Sequence, residues 1–235
     1  GVAPAHALTI AAPAVSRLAL FDLDGTLLDG DTDVLWCAFL VDEGVLDCDA
    51  FDAANRKTAA QYADGAISAQ AFCDFYAATL AGRTAAQWSP LRDRFVDRRI
   101  VPRLKPRGLE AVERHRASGD RVVLTTATNR FLTEPIAALL GIADLIATDL
   151  EVADGVFTGR TSGIVNMREG KVTRLRAWLA ERGLAESSIG EASFYSDSRN
   201  DLPLLAAVAA PVAVDPDDRL RAEAVRLGWP VIRLA

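Results

Sequence analysis

Histidine and cysteine are scarce in this chain of 235 residues: two of the first, His6 and His115, and three of the second, Cys37, Cys48 and Cys73. Two separated histidines offer no constellation for metal binding or acid–base work, and His115 in ERHRASG reads as part of a solvated helix face. Three cysteines cannot form a complete disulfide set, and none has metal-ligand spacing, so buried thiols in a reducing compartment are expected. No apolar run approaches the roughly 20 residues needed to span a bilayer. Basic excess is also missing: 26 Lys and Arg stand against 32 Asp and Glu, a net charge of −6, which argues against a nucleic-acid footprint. The first sixteen residues, GVAPAHALTIAAPAVS, hold no Lys or Arg and so lack the basic start of a secretory leader. Residues 1–16 are therefore expected to be a tail, and the chain to be cytoplasmic, without a membrane partner.

Half of the residues are hydrophobic and a quarter charged, enough for a full core. Short apolar runs recur at 17–21, 121–127, 144–149, 193–196, 211–214 and 230–234. Runs of that length suit strands covered on both faces, as in a parallel sheet. Helical periodicity fills 107–118, 130–140, 169–183, 200–209 and 217–227. The alternation predicts an α/β fold with a doubly wound parallel sheet and ligands at the carboxyl ends of its strands. Residues 32–106 break the pattern with several amphipathic helical stretches and no convincing strand, so they read as an inserted α-helical domain. VPRLKPRG (101–108) is a return hinge, and Asp154-Gly155 marks a hairpin within 150–158.

The chemistry concentrates where apolar runs end. LALFDLDGTLLDGD (18–31) closes a strand with Asp22 and Asp24, and Gly25 permits a tight turn beside them. FYSDSRNDLPLL closes another run with Asp197 and Asp201, four residues apart. Carboxylates gathered at two strand ends suit a hard cation such as Mg²⁺, which takes oxygen ligands and keeps waters. Thr126 ends VVLTTAT just before a predicted helix, where a hydroxyl and free N–H groups can hold an anion. Lys171, in EGKVTRLRAWLAERG, would neutralise anionic oxygens beside such a centre.

Four segments in order, DLDGTL, LTTAT, GK and YSDSRND, resemble the four motifs of the haloacid dehalogenase superfamily. The insert after the first resembles the helical cap of its phosphoserine-phosphatase-like branch. The resemblance implies a Rossmann-like core of residues 17–31 and 107–235 and a cap of 32–106. It implies Asp22 as the nucleophile that becomes an aspartyl phosphate, and Asp24 as general acid and base. Mg²⁺ would lie among the Asp22 side chain, the Asp24 backbone carbonyl and Asp197, with Asp201 acting through water or on the other ligands. Thr126 and Lys171 would hold the phosphoryl oxygens. The implied activity is hydrolysis of a small-molecule phosphate ester, with a phosphomutase or a catalytically silent phosphate binder as alternatives.

In that branch an acid after the first motif holds the substrate amine. Asp31 stands there, where it could equally cap the following helix. A cap arginine pairs with the substrate carboxylate in the branch, and here Tyr76 takes that place. Losing a bidentate partner favours an amine-bearing phosphate without a carboxylate, such as histidinol phosphate, over phosphoserine. Trp36, Tyr62 and Tyr76 are candidates to stack on an imidazole, and Arg56 and Arg130 are further cationic candidates.

Overall fold

A computed structural model describes residues 17–234; the expected tail lies outside them. Seven strands form one sheet: β1 (Leu18–Phe21), β2 (Arg121–Asn129), β3 (Asp144–Ala153), β4 (Val156–Ser162), β5 (Ser193–Ser196), β6 (Ala210–Val214) and β7 (Val231–Ile232). Their order is β4-β3-β2-β1-β5-β6-β7, parallel throughout except for the antiparallel β3–β4 edge. All four residues of β1 are buried, because the sheet is covered on both faces. Ala19 and Phe21 join one core, Leu18 and Leu20 the other, as side chains alternate across a strand.

The helices α1 (Thr32–Asp42), α2 (Cys48–Ala63), α3 (Ala69–Ala77) and α4 (Ala85–Phe95) lie between β1 and α5 (Pro106–Ala117). Asp31, Asp47, Ser68 and Thr84 cap α1 to α4 through their side chains, satisfying N–H groups that the helices cannot. Trp36, Phe39, Trp88 and Phe95 pack together inside this insert. The later helices are α6 (Arg130–Leu139), α7 (Glu169–Glu181), α8 (Leu202–Leu205) and α9 (Asp218–Leu227). Leu175, Leu204 and Leu220 of α7 to α9 fill the second core.

The β3–β4 hairpin turns at Asp154 (φ 51°) and Gly155 (φ 79°), a pair of positive φ values that suits a two-residue turn. Its outer strand is tied to the insert. Gly82 N–H donates to Phe157 O (2.9 Å) and Phe157 N–H to Arg83 O (3.0 Å). The Asp74 carboxylate accepts from both the N–H (2.7 Å) and the hydroxyl (2.6 Å) of Thr161.

Three expectations need correction. β2 runs on to Asn129, whose side chain caps α6, two residues beyond the run expected over 121–127, so Thr126 lies inside the strand and Asn129, not Thr126, stands at the helix start. The helix expected over 200–209 shrinks to Leu202–Leu205, because the Ser198 hydroxyl accepts from Asn200 N–H and winds residues 199–201 into a tighter turn. Cys37 and Cys73 are buried thiols, but Cys48 is exposed.

Candidate active site

The carboxyl end of β1 enters a cavity of about 360 Å³. Asp22 stands there because its N–H still pairs with Tyr195 O of β5 at 2.9 Å, which extends the sheet by one residue. The chain then turns at Gly25, whose φ of 73° suits glycine. A Cβ on Gly25 would sit 2.1 Å from Asp197 Oδ2, so this glycine also lets the Asp197 carboxylate lie against the backbone of the first motif. Asp197 is held in addition by the Thr26 hydroxyl at 3.2 Å.

Lys171 is buried beneath them. Its Nζ donates to Asp22 Oδ1 at 2.8 Å and to Asp201 Oδ2 at 2.6 Å, and Asp201 also accepts from the Ser196 hydroxyl at 2.7 Å. Burial alone would lower the lysine's pKa, but the charges of Asp201 and Asp22 outweigh it and the net shift is upward. Lys171 reaches this point because Gly170 has no side chain: a Cβ there would lie 2.1 Å from Val165 O. Asn166, fully buried, braces the same loop, its Nδ2 within 3.0 Å of Thr125 Oγ1, Thr126 O and Ile146 O.

Asp24 faces the insert. Its Oδ1 accepts from the N–H (2.7 Å) and hydroxyl of Thr32, and its Oδ2 from the Thr128 hydroxyl at 2.9 Å. Burial pushes Asp24 up to about 7, with the Asp31 charge adding to it and the Thr32 and Thr128 bonds opposing. Burial likewise pushes Asp22 up to about 7 against the pull of Lys171. Asp197 goes up to about 8, from burial and then from Asp22 and Asp201. Carboxylates crowded this way are short of positive charge.

That shortage, together with an all-oxygen donor set, fits a hard divalent cation. No three acidic or other ligating side chains converge on one point among the described residues. The cavity-lining carboxylates left for such a cation are those of Asp22 and Asp197. The side chains of Asp201 and Asp24 are already committed to Lys171 with Ser196 and to Thr32 with Thr128.

The insert supplies the far wall, where Phe72, Cys73 and Tyr76 of α3 meet Met167. Asp31 reaches the cavity while accepting from Val34 N–H at 2.9 Å, so the two roles weighed for it are compatible. Tyr76 lines the cavity with its ring and donates its hydroxyl to Asn55 Oδ1 at 2.9 Å.

Other candidates lie elsewhere. Thr126 is fully buried and its hydroxyl accepts from Thr128 N–H at 3.2 Å; Ala127 and Thr128 form the wall instead, since the strand continues past the expected end. Arg130 is paired with Asp149 at 2.7 Å and lines a different hollow. Trp36 belongs to the insert core and donates to Thr79. Tyr62 stacks on Phe72, ring centroids 4.5 Å apart, behind the wall, and Arg56 is exposed on α2. His115 is not on a solvated face: Nδ1 lies 2.6 Å from Asp120 and Nε2 2.9 Å from the Tyr195 hydroxyl. Thr32, Thr128, Asp33 and Asn166 were not singled out from the sequence. The doubled pattern of TTAT was a signal for Thr128; the other three are fixed only by tertiary contacts.

A mostly parallel sheet with paired carboxylates at the ends of β1 and β5 and a buried lysine between them is the arrangement that the hydrolase motifs in the sequence imply. The haloacid dehalogenase-like hydrolase family model matches residues 19–206, and the chain belongs to that family. It is 40% identical over 219 residues to a histidinol-phosphatase of Neisseria meningitidis serogroup C (strain 8013), covering 93% of this chain and 99% of that one. It is 31% identical over 227 residues to the phosphoserine phosphatase SerB1 of Mycobacterium tuberculosis, covering 92% and 70%. A protein of unknown function from Bordetella pertussis Tohama I shares its structure with a TM-score of 0.87 at 42% identity, over 94% of this chain and all of that one. A substrate-bound phosphoserine phosphatase shares the fold, with a TM-score of 0.67 at 17% identity over 94% and 93% of the chains. The protein is therefore a phosphatase of this family. No helix among the described residues is long and apolar enough to cross a membrane.

Proposed function

We propose that this phosphatase hydrolyses a small phosphomonoester with Mg²⁺, through an aspartyl phosphate on Asp22. The observation that carries this is the division of labour between two neighbouring carboxyls. Asp22 has Oδ1 tied to Lys171, while Oδ2 makes no hydrogen bond among the described residues. Asp24, pushed up to about 7, can hold a proton near neutral pH. Asp22 Oδ2 attacks phosphorus as the bond to the leaving oxygen breaks, and Asp24 delivers its proton to that oxygen. The Asp24 carboxylate then takes a proton from water, whose oxygen attacks the aspartyl phosphate; phosphate leaves and Asp22 is restored. Lys171 offsets the charge gathered on Asp22 and on the phosphoryl oxygens. Bound between Asp22, Asp197 and the Asp24 carbonyl, Mg²⁺ would supply charge neutralisation and orientation of the phosphoryl group.

The substrate we favour carries an amine and no carboxylate, as histidinol phosphate does. Lys171 is the only cation among the residues lining the cavity, and it serves the phosphate end, so a substrate carboxylate would have no partner there. The name of the meningococcal relative points the same way.

Phosphate release from p-nitrophenyl phosphate should require Mg²⁺, stop with a chelator, and fall at least about a thousandfold in Asp22→Asn. Release that persists in that variant sinks the nucleophile assignment. Across a panel of esters, histidinol phosphate should exceed phosphoserine in kcat/KM, and the opposite order refutes the substrate assignment.

A further inference from the structure

The cavity is lined by Lys171, assigned above to the phosphate, and by the start of α1 beside Asp24. Two further carboxylates stand at the start of α1, the exposed Asp31 and the less exposed Asp33. Asp33 has almost nothing to bond. Its Oδ2 lies 3.4 Å from the Thr128 hydroxyl, whose single proton goes to Asp24 at 2.9 Å. Its Oδ1 is shut off from solvent and has no hydrogen-bond partner.

An acid in the first turn of a helix normally settles on backbone N–H groups or on solvent. Here Val34 N–H is taken by Asp31 and Thr32 N–H by Asp24. The surrounding Cys37, Cys73 and Tyr76, whose ionisation is opposed first by burial and then by nearby carboxylates, Asp33 among them, bring no cation. Burial, with the charges of Asp31 and Asp24 behind it, pushes the Asp33 carboxyl well above the usual range. A buried carboxyl without partners destabilises the fold until something supplies donors or charge.

Building on the phosphatase reading, we infer that Asp33 and Asp31 form a two-carboxylate receptor for a positively charged leaving group, with Asp33 the specificity-determining residue. The ligand class is a phosphate ester of an amino alcohol that carries a second nitrogen base with an N–H to give. Asp31, capped into α1 at the rim, meets one cationic group. Asp33 accepts from the other and loses its isolation on binding. The apolar wall of Phe72 and Met167 flanks the planar part of such a group.

Asp33→Asn keeps the shape and removes the charge. The ratio of kcat/KM for histidinol phosphate to that for p-nitrophenyl phosphate should fall at least tenfold. The Kd of L-histidinol, measured by calorimetry on the same protein, should rise at least tenfold. The melting temperature should hold or rise, because a carboxyl whose Oδ1 is buried without a partner is gone, whereas a packing role predicts a fall. A ratio and a Kd both within twofold of the parent overturn the inference, as does a parent protein that fails to bind L-histidinol. A parent that binds L-histidinol but hydrolyses neither ester defeats the phosphatase reading alone, and the Asp33→Asn Kd then decides the receptor on its own.

Discussion

At Asp24 the decisive contact is a single hydroxyl. Thr128 gives its proton to Asp24 Oδ2 rather than to Asp33, and with Thr32 it fixes the carboxyl that delivers and recovers a proton in the mechanism proposed above. Thr128 touches no reacting atom in this arrangement and acts by positioning Asp24. A hydrogen bond to a charged group is worth about 1.5–3 kcal/mol, so Thr128→Val should lower kcat roughly 10- to 150-fold. Because the bond also holds the Asp24 pKa down, the limb of the pH profile that Asp24 sets should move upward in this variant: the alkaline limb if it limits as acid, the acid limb if it limits as base. Unchanged kcat and an unmoved pH profile would mean that Thr32 alone orients the acid. The same residue shows why part of the site escapes a linear reading. Asp22, Asp24, Lys171 and Asp197 were legible because strand ends and helix starts announce themselves in sequence. Thr128, Thr32 and Asp33 matter through partners 8 to 104 positions away, and apart from the doubled threonines of TTAT nothing local marks them.

Among the elements, α7 shows how strictly a backbone can be set for one side chain. Gly170 approaches Val165 O so closely that a methyl group would overlap it. Gly170→Ala must therefore shift the start of the helix and with it Lys171. Overpacking of this kind costs about 1–3 kcal/mol, which for a chain of this size lowers the melting temperature by roughly 2–12 °C. Phosphatase activity should fall with it, and a variant that melts and turns over like the parent would show the loop to be pliable. Elements with a strong local code were readable in advance: β1 from its unbroken apolar run, the hairpin from Asp154-Gly155, α9 from its periodicity. The end of β2 was not, because pairing with β3 carries the strand through Asn129, past the residue where the apolar run stops. Within that strand Thr126 is buried, and Arg130, which starts α6 as expected, turns to Asp149. The aromatic residues of the insert share one helical spacing whether they face its core, as Trp36 does, or the cavity, as Tyr76 does, and only packing separates them.

For the molecule as a whole, the acidic centre makes stability depend on pH and on metal together. Asp22, Asp24 and Asp197 hold protons in the folded state up to about 7, 7 and 8, whereas the unfolded chain releases them near 3.8. The folded state binds more protons between those limits, so stability falls as pH rises through this window. The melting temperature of the metal-free protein should thus decline from pH 5 to pH 8.5. Magnesium binds the deprotonated ligands, so the gain in melting temperature on adding it should be larger at pH 8 than at pH 6. A metal-free protein whose melting temperature climbs over that range would contradict the crowding of unbalanced carboxylates.

The stitching of residues 82–84 onto β4 reaches beyond catalysis. An outermost strand normally leaves a row of bare amides and carbonyls to which any other chain can zip. Here the helical insert folds back and occupies part of that row through Phe157 and the Thr84–Val156 bridge. On the opposite flank the last strand is only two residues long. The insert that lines the cavity through Phe72, Cys73 and Tyr76 thereby also covers part of the longer of the two sheet seams through residues 82–84, so a change that loosens the insert would expose a sticky edge as well as open the cavity.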